Sequence, residues 1–223
     1  MHKTYNIILF DLDGTLVDPK LGITQCVQYA LKSFDIDEPE LNNLCKFIGP
    51  PLKESFIEFY GFDEKSAFQA VEKYRERYSD IGIFEAELYP GIAQLLEQLC
   101  TAGKRLAVAT SKPTIFASRV LEHFDVAHYF EYVSGSELDN TRTKKSEVIE
   151  HGLKQLQVVD TACALMIGDR EYDIKGAKTT GLTSVGVLYG YGSFAELKNA
   201  GADYIVQDIM ELEKVLLPRS DKY

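Results

Sequence analysis

Short runs of aliphatic and β-branched residues recur along the chain: NIILF at 6–10, RLAVAT at 105–110, YFEYVS at 129–134, CALMIG at 163–168, TSVGVL at 183–188 and DYIV at 203–206. Continuous apolar runs, rather than strict alternation, are what strands buried on both faces of a parallel sheet require. From the second run onward the segments between them change period. In PGIAQLLEQLCTAG, 90–103, Ile92, Leu95, Leu96 and Leu99 recur at spacings of three and four, with Pro90 near the start and Gly103 as a stop. Similar patterns at 113–123, 144–156, 171–180 and 208–216 predict further helices. This alternation predicts an α/β fold, a doubly wound, Rossmann-like parallel sheet covered by helices on both faces.

Residues 16–87 break the rhythm. No strand run appears, while GITQCVQYALKSF, LKESFIEFY and EKSAFQAVEKYRERY are helical in period. In the last of these, Phe68, Val71, Tyr74 and Tyr78 repeat as a packing stripe. A small all-helical domain at 16–87 is therefore expected as an insertion between the first and second strands of a core formed by 1–15 and 88–223. Within it IGPPL, 48–52, carries two prolines that stiffen a loop expected to face the active site.

Composition narrows the partners. The chain has 223 residues, with 24 Lys plus Arg against 34 Asp plus Glu and a formal charge of -10. Such a surface repels a nucleic acid polymer but admits a small anion wherever local cations or a metal overcome the field. Cys26, Cys45, Cys100 and Cys163 are scattered without metal-ligand spacing and are expected to be reduced core thiols. The apolar run before the first acids is too short for a signal peptide, and no stretch of about 18 apolar residues occurs. A cytoplasmic protein with no membrane partner is expected; nothing in the pattern sets its oligomeric state.

The polar groups that matter fall at the carboxyl ends of the expected strands, where open parallel sheets collect their ligands. Asp11 and Asp13 follow the first strand, Thr110 and Ser111 close the second, and Asp169 follows the fourth within MIGDREYD. Three carboxylates meeting in a cleft repel one another unless a cation neutralises them. A hard ion such as Mg2+ suits carboxylate ligands shared with a substrate phosphate. An aspartate can then act as a covalent nucleophile while a second carboxyl two residues on moves protons. Thr110 and nearby amides can hold phosphate oxygens beside the helix opened by Pro113. Either Lys144 or Lys145, at a helix start, can balance the transferred charge.

Taken together, DLDGT at 11–15, ATSKP at 109–113, a lysine in TRTKKSEVI and GDREYD at 168–173 resemble the four ordered motifs of the haloacid dehalogenase superfamily, and 16–87 is similar to that family's helical cap. The resemblance spans nearly the whole chain. It implies Asp11 as nucleophile, Asp13 as general acid/base with its carbonyl on Mg2+, and Thr110 as phosphate binder, with Ser111 beside it. It also implies Asp169 as a metal ligand and Asp173 as a metal partner acting from behind the ligands or through water. Lys145 is favoured over Lys144, because in similar sequences the catalytic lysine comes three residues after the arginine of a TRxxK stretch, and it would serve both catalysis and phosphate binding. Asp13 argues against a dehalogenase, which lacks the second aspartate, and Thr15 is more typical of hydrolases than of mutases. Pro19 departs from the Ser of many relatives.

The implied activity is hydrolysis of a phosphomonoester of a small metabolite through an aspartyl phosphate. The chain is similar to phosphoglycolate phosphatases and, through TRTKKSEVIE, MIGDREYDIKGAK and GVLYGYGSFAEL, to a nucleoside 5'-monophosphatase-like branch. A sugar phosphomutase would form the same intermediate, and a signalling receiver domain also uses strand-end carboxylates with Mg2+, although its phosphorylated Asp follows the third strand. Plainer readings exist for each group: DG as a turn, Asp169 as a helix N-cap, Asp173 as a first-turn acid. An EF-hand loop from Asp11 would need Gly at 16 and Glu at 22, where Leu16 and Gly22 stand. His2, His123, His128 and His151 have no partner at ligand spacing, Lys53 and Arg142 are candidate substrate contacts, and Gly186, Gly190 and Gly192 read as a flexible loop.

Overall fold

The computed structural model describes residues 5–139 and 141–217. The chain divides into two compact units, one formed by the residues up to Leu16 and from Leu88 onward, the other by Val17–Glu87. Leu16, expected in the insertion, belongs to the first.

In chain order the elements are β1 (Ile7–Phe10), β2 (Val17–Asp18), α1 (Lys20–Lys32), α2 (Leu52–Tyr60), α3 (Glu64–Tyr78), β3 (Glu87–Leu88), α4 (Ile92–Thr101) and β4 (Arg105–Pro113). They continue as α5 (Thr114–His123), β5 (Tyr132–Ser136), α6 (Lys145–Gln155), β6 (Ala164–Gly168), α7 (Glu171–Thr180), β7 (Thr183–Val187), α8 (Phe194–Ala200), β8 (Tyr204–Val206) and α9 (Ile209–Leu216). The main sheet runs β5-β4-β1-β6-β7-β8 with parallel pairing throughout. The chain fills one side of β1 with β4 and β5, then crosses to build the other side from β6. The crevice at the carboxyl end of β1 is therefore the reversal point at which such sheets bind ligands.

The apolar runs are explained by burial on both faces. Every residue of β1 is buried, and Ile7 and Leu9 join Ala107, Ala109 and Met166 in a cluster with Val148, Ile149 and Leu153 of α6 and Ala177 of α7. In α4, Ile92, Leu95, Leu96 and Leu99 all face inward, as their spacing predicts. Strand β5 lies at 132–136 rather than 129–134, because Ala127–Tyr129 forms a helical turn and pairing to β4 starts at Ala107 opposite Tyr132. Helix α8 was absent from the predicted pattern: only Leu197 and Ala200 of its seven residues are buried, too few to set a period. It is instead delimited by its ends, Ser193 accepting from Glu196 N and Gly201 at a φ of 82°.

The inserted unit is helical. An aromatic cluster of Phe47, Phe56, Phe59, Tyr60 and Phe62 fills it. Helix α1 and the turn at Gly82 meet so closely that a β-carbon on Gly22 would stand 2.0 Å from the Gly82 carbonyl oxygen. Arg77 closes the same region by a bidentate pair with Glu85 and a contact to Cys26 Sγ. One expectation fails here. Phe68 is half exposed, and the buried stripe of α3 is Ala67, Ala70, Val71, Tyr74 and Tyr78. The cysteines also differ from expectation. All four are free, but only Cys26 is buried, while Cys45 and Cys163 are partly accessible and Cys100 is exposed.

Candidate active site

Strand β1 delivers the first acids. Asp11 N donates to Ile167 O at 2.8 Å, so the ladder to β6 continues to the nucleophile candidate and fixes its backbone. Its Oδ1 accepts from Leu12 N at 2.8 Å. The chain then turns through Gly14, whose φ of 79° suits glycine and whose Cα faces Asp169; a β-carbon there would lie 2.3 Å from Asp169 Oδ2. DLDGT thus requires its glycine for both conformation and close approach.

Asp169, at the tip of β6, is fully buried. Its Oδ2 accepts from Tyr191 N at 2.7 Å, and its Oδ1 is buried with no hydrogen-bond partner. In the first turn of α7, Asp173 accepts from Arg170 N at 3.0 Å, which agrees with its plainer reading as a first-turn acid, whereas the N-cap is Arg170 and not Asp169. Its other oxygen lies 2.8 Å from Lys145 Nζ. Lys145, the first residue of α6, is buried, whereas Lys144 is exposed. The Lys145 ammonium reaches Asp11 Oδ1 at 2.9 Å and Ala109 O at 3.2 Å as well. Gly176 of α7 makes room for it, since a β-carbon there would meet Lys145 Cγ at 2.8 Å.

Asp13 points elsewhere. Its Oδ1 lies 2.6 Å from Lys112 Nζ, and both side chains are largely buried. Thr110 is buried at the end of the regular part of β4, its Oγ1 accepting from Lys112 N at 3.3 Å. Ser111 is partly buried, and its carbonyl accepts from Ser136 Oγ at 2.8 Å. Of the tentative contacts, Arg142 pairs with Glu137 and donates to Gly135 O, and Lys53 pairs with Glu64.

Four buried carboxyl groups therefore face two ammonium groups, Lys112 and Lys145, so acids outnumber cations in a site shielded from water. Burial raises the pKa of Asp169, and the neighbouring charges of Asp173 and Asp11 raise it further. Burial likewise raises Asp13 against the opposing pull of Lys112, and raises Asp173 against that of Lys145. For Lys145 burial pulls downward, yet Asp11 and Asp173 outweigh it and the pKa is raised. Lys145 therefore stays charged.

One oxygen each from Asp11, Asp169 and Asp173 lies within 4.8 Å of the others, and among the described residues Asp169 Oδ1 has no hydrogen-bond partner. All-oxygen donors, surplus negative charge and an unsatisfied carboxylate oxygen fit a Mg2+ ion.

Lys112, Tyr191 and two glycines were missed in the sequence. Lys112 lies within ATSKP, two residues beyond Thr110, and a cation inside that motif was signal enough. Tyr191 acts through its backbone amide and left no side-chain signal. Gly190 and Gly192 carried one, because glycines inside a strand-end loop mark close backbone approach. A β-carbon on Gly190 would lie 2.3 Å from Gly14 O, and one on Gly192 1.8 Å from Asp169 O. That loop is clamped onto the acids rather than loose, and Tyr189 adds a hydrogen bond to Thr15 O at 3.0 Å.

The chain matches the haloacid dehalogenase-like hydrolase family over residues 8–187 and belongs to it. A Pseudomonas aeruginosa protein named 5'-nucleotidase is 48% identical over 212 residues, covering 95% of this chain and 96% of its own. A Vibrio parahaemolyticus phosphoglycolate phosphatase is 31% identical, covering 94% and 95%. The crystal structure of a protein described as a predicted phosphatase from Clostridium acetobutylicum superimposes with a TM-score of 0.93 at 50% identity, covering 96% of this chain and 99% of that one. Among the described residues no helix is long and apolar enough to cross a membrane.

Proposed function

We propose that this phosphomonoester hydrolase is Mg2+-dependent and works through an aspartyl phosphate on Asp11, with nucleoside 5'-monophosphates as preferred substrates and phosphoglycolate next. The observation that carries the reading is the trio of buried carboxylates, Asp11, Asp169 and Asp173, with an unpartnered Asp169 oxygen and the Lys145 ammonium between Asp11 and Asp173. Asp11, Asp169, Asp173 and the Asp13 carbonyl would hold the ion, which when bound supplies positive charge that screens the phosphoryl oxygens from the carboxylates.

The residues then divide the work. An Asp11 oxygen attacks phosphorus as the ester bond breaks, and the Asp13 carboxyl donates its proton to the departing oxygen. Asp13, now ionised, takes a proton from water as that water attacks phosphorus, releasing phosphate and restoring the Asp11 carboxylate. Lys145 offsets the charge that builds on Asp11 and the transferred group. Thr110 and the amides after it receive phosphoryl oxygens, with Ser111 lining the loop. The helical unit supplies specificity by covering the substrate and excluding water. The preference for nucleotides is supported by the 48% identical relative named for that activity, against 31% for the phosphoglycolate phosphatase. Four free cysteines fit a reducing, cytoplasmic setting.

The test is phosphate release from nucleoside monophosphates, phosphoglycolate and sugar phosphates, with and without Mg2+, by wild type and Asp11→Asn. Steady Mg2+-dependent release, fastest from nucleotides and absent in the variant, is expected. Equal release by both proteins refutes the mechanism, and transfer of the phosphoryl group to a sugar without free phosphate identifies a mutase.

A further inference from the structure

Lys112 has no part in the chemistry assigned so far, yet it makes the shortest ion pair in the site, 2.6 Å to Asp13, with 6% of its side chain exposed. A buried pair of this kind is a poor source of stability, since desolvating an ammonium and a carboxylate costs about as much as their attraction returns. Its geometry is nevertheless tightly held. Lys112 N donates to Thr110 Oγ1 at 3.3 Å, and the strand shifts register between Ala109 and Pro113 as it passes the site. The neighbouring strand clamps that segment. Ser136 Oγ donates to Ser111 O at 2.8 Å, and Gly135 lies so close that a β-carbon there would stand 2.4 Å from Lys112 O. Lys145 is committed to Asp11 and Asp173, so each ammonium serves its own acids.

We infer that Lys112 is a positioning residue: its ammonium holds the Asp13 carboxyl in the one orientation from which it serves the leaving oxygen and then the attacking water. The inference rests on the aspartyl-phosphate reading above. Asp13 lies just beyond β1, outside the regular strand, and a misplacement of about 1 Å in a proton-transfer group costs on the order of 100-fold in rate. Without Lys112, both steps that need Asp13 slow, while the attack of Asp11 on a substrate whose leaving group departs without a proton does not.

That asymmetry is measurable with Lys112→Met, of similar length and without charge. With p-nitrophenyl phosphate, whose leaving group departs as the anion, the variant is expected to release a burst of p-nitrophenolate at the wild-type rate. Steady turnover then falls about 100-fold, because hydrolysis of the phospho-Asp11 intermediate still needs Asp13. With a nucleoside monophosphate, phosphorylation itself slows comparably and no burst appears. KM for the nucleoside monophosphate, where both steps slow alike, and competitive inhibition by orthophosphate are unchanged; KM for p-nitrophenyl phosphate falls because phospho-Asp11 accumulates, and Lys112→Arg recovers most of the turnover. The burst amplitude counts correctly folded sites, so partial misfolding scales both phases together, and Lys112→Gln serves as a second uncharged probe if the Met variant does not fold.

A burst slowed as much as turnover, a raised KM with weaker phosphate inhibition, or wild-type kinetics in both uncharged variants overturns the role of Lys112 and leaves the phosphatase reading standing. A wild-type protein that neither releases phosphate nor labels Asp11 overturns both.

Discussion

Replacing Gly190 by alanine probes how the loop after β7 fixes the acids. A β-carbon there would lie 2.3 Å from Gly14 O, 2.5 Å from Asp169 Cβ and 2.6 Å from Asp169 Oδ2. Carbon and oxygen without a bond between them keep about 3.3 Å apart, so the overlap is close to 1 Å against backbone and a buried carboxylate. Either the loop retreats and the 2.7 Å hydrogen bond from Tyr191 N to Asp169 is lost, or Asp169 turns away from Asp11 and Asp173. Overpacking costs about 1–3 kcal/mol and the loss of a bond to a charged acceptor about 1.5–3, so Gly190→Ala is expected to lose roughly 3–5 kcal/mol in urea unfolding followed by circular dichroism. If Asp169 is the metal ligand proposed above, displacing its support is also expected to weaken Mg2+ binding about 10- to 100-fold, read by calorimetric titration. Gly61→Ala is the control. Gly61 has a φ of 67° with nothing within 4 Å of the added carbon, so it is expected to lose about 1 kcal/mol with Mg2+ affinity intact. Wild-type stability and Mg2+ affinity in Gly190→Ala would refute the clamp.

Three further outcomes follow from the charges. Burial and the charges of Asp173 and Asp11 penalise ionised Asp169, so Asp169→Asn is expected to stabilise the metal-free protein by about 1 kcal/mol while abolishing the thermal shift that Mg2+ gives wild type; lower metal-free stability than wild type would contradict this. Lys145→Met leaves Asp11 and Asp173 uncompensated and is expected to lose about 3–5 kcal/mol in urea unfolding, whereas Lys144→Met, at an exposed position, changes stability by less than about 0.5 kcal/mol. Burial and the charge of Arg142 lower the pKa of His151 from its ordinary 6.5. The unfolded chain therefore binds that proton at higher pH than the native state, so the stability concerned is fully present above pH 6.5 and is lost as pH falls below it. His151→Gln is expected to flatten this part of the stability profile, and an unchanged acid limb would contradict it.

Much of the molecule was legible because the sheet is buried on both faces: NIILF and CALMIG became β1 and β6 almost residue for residue. The acids were legible because costly groups stood at strand ends. What escaped acts through backbone or through space. Tyr191 contributes an amide that any residue carries. Gly190 and Gly192 matter by lacking a β-carbon against residues distant in sequence, a constraint visible only once β6 and β7 are side by side. Phe68 fits the helical period of α3 as well as Val71 does but is half exposed, and periodicity alone cannot tell a buried edge from an exposed one. Asp13 stood out in the sequence as a second acid two residues after the first, while its partner Lys112 is an ordinary lysine inside a motif whose threonine draws the eye.

The account turns on Asp11 being the atom-bonding group of the site. Acid-quenched mixtures of the protein, Mg2+ and p-nitrophenyl phosphate, digested and analysed by mass spectrometry, should carry a phosphoryl group on the peptide containing Asp11, lost in Asp11→Asn together with turnover. A phosphoryl group on another residue, or turnover that continues in Asp11→Asn, would contradict it.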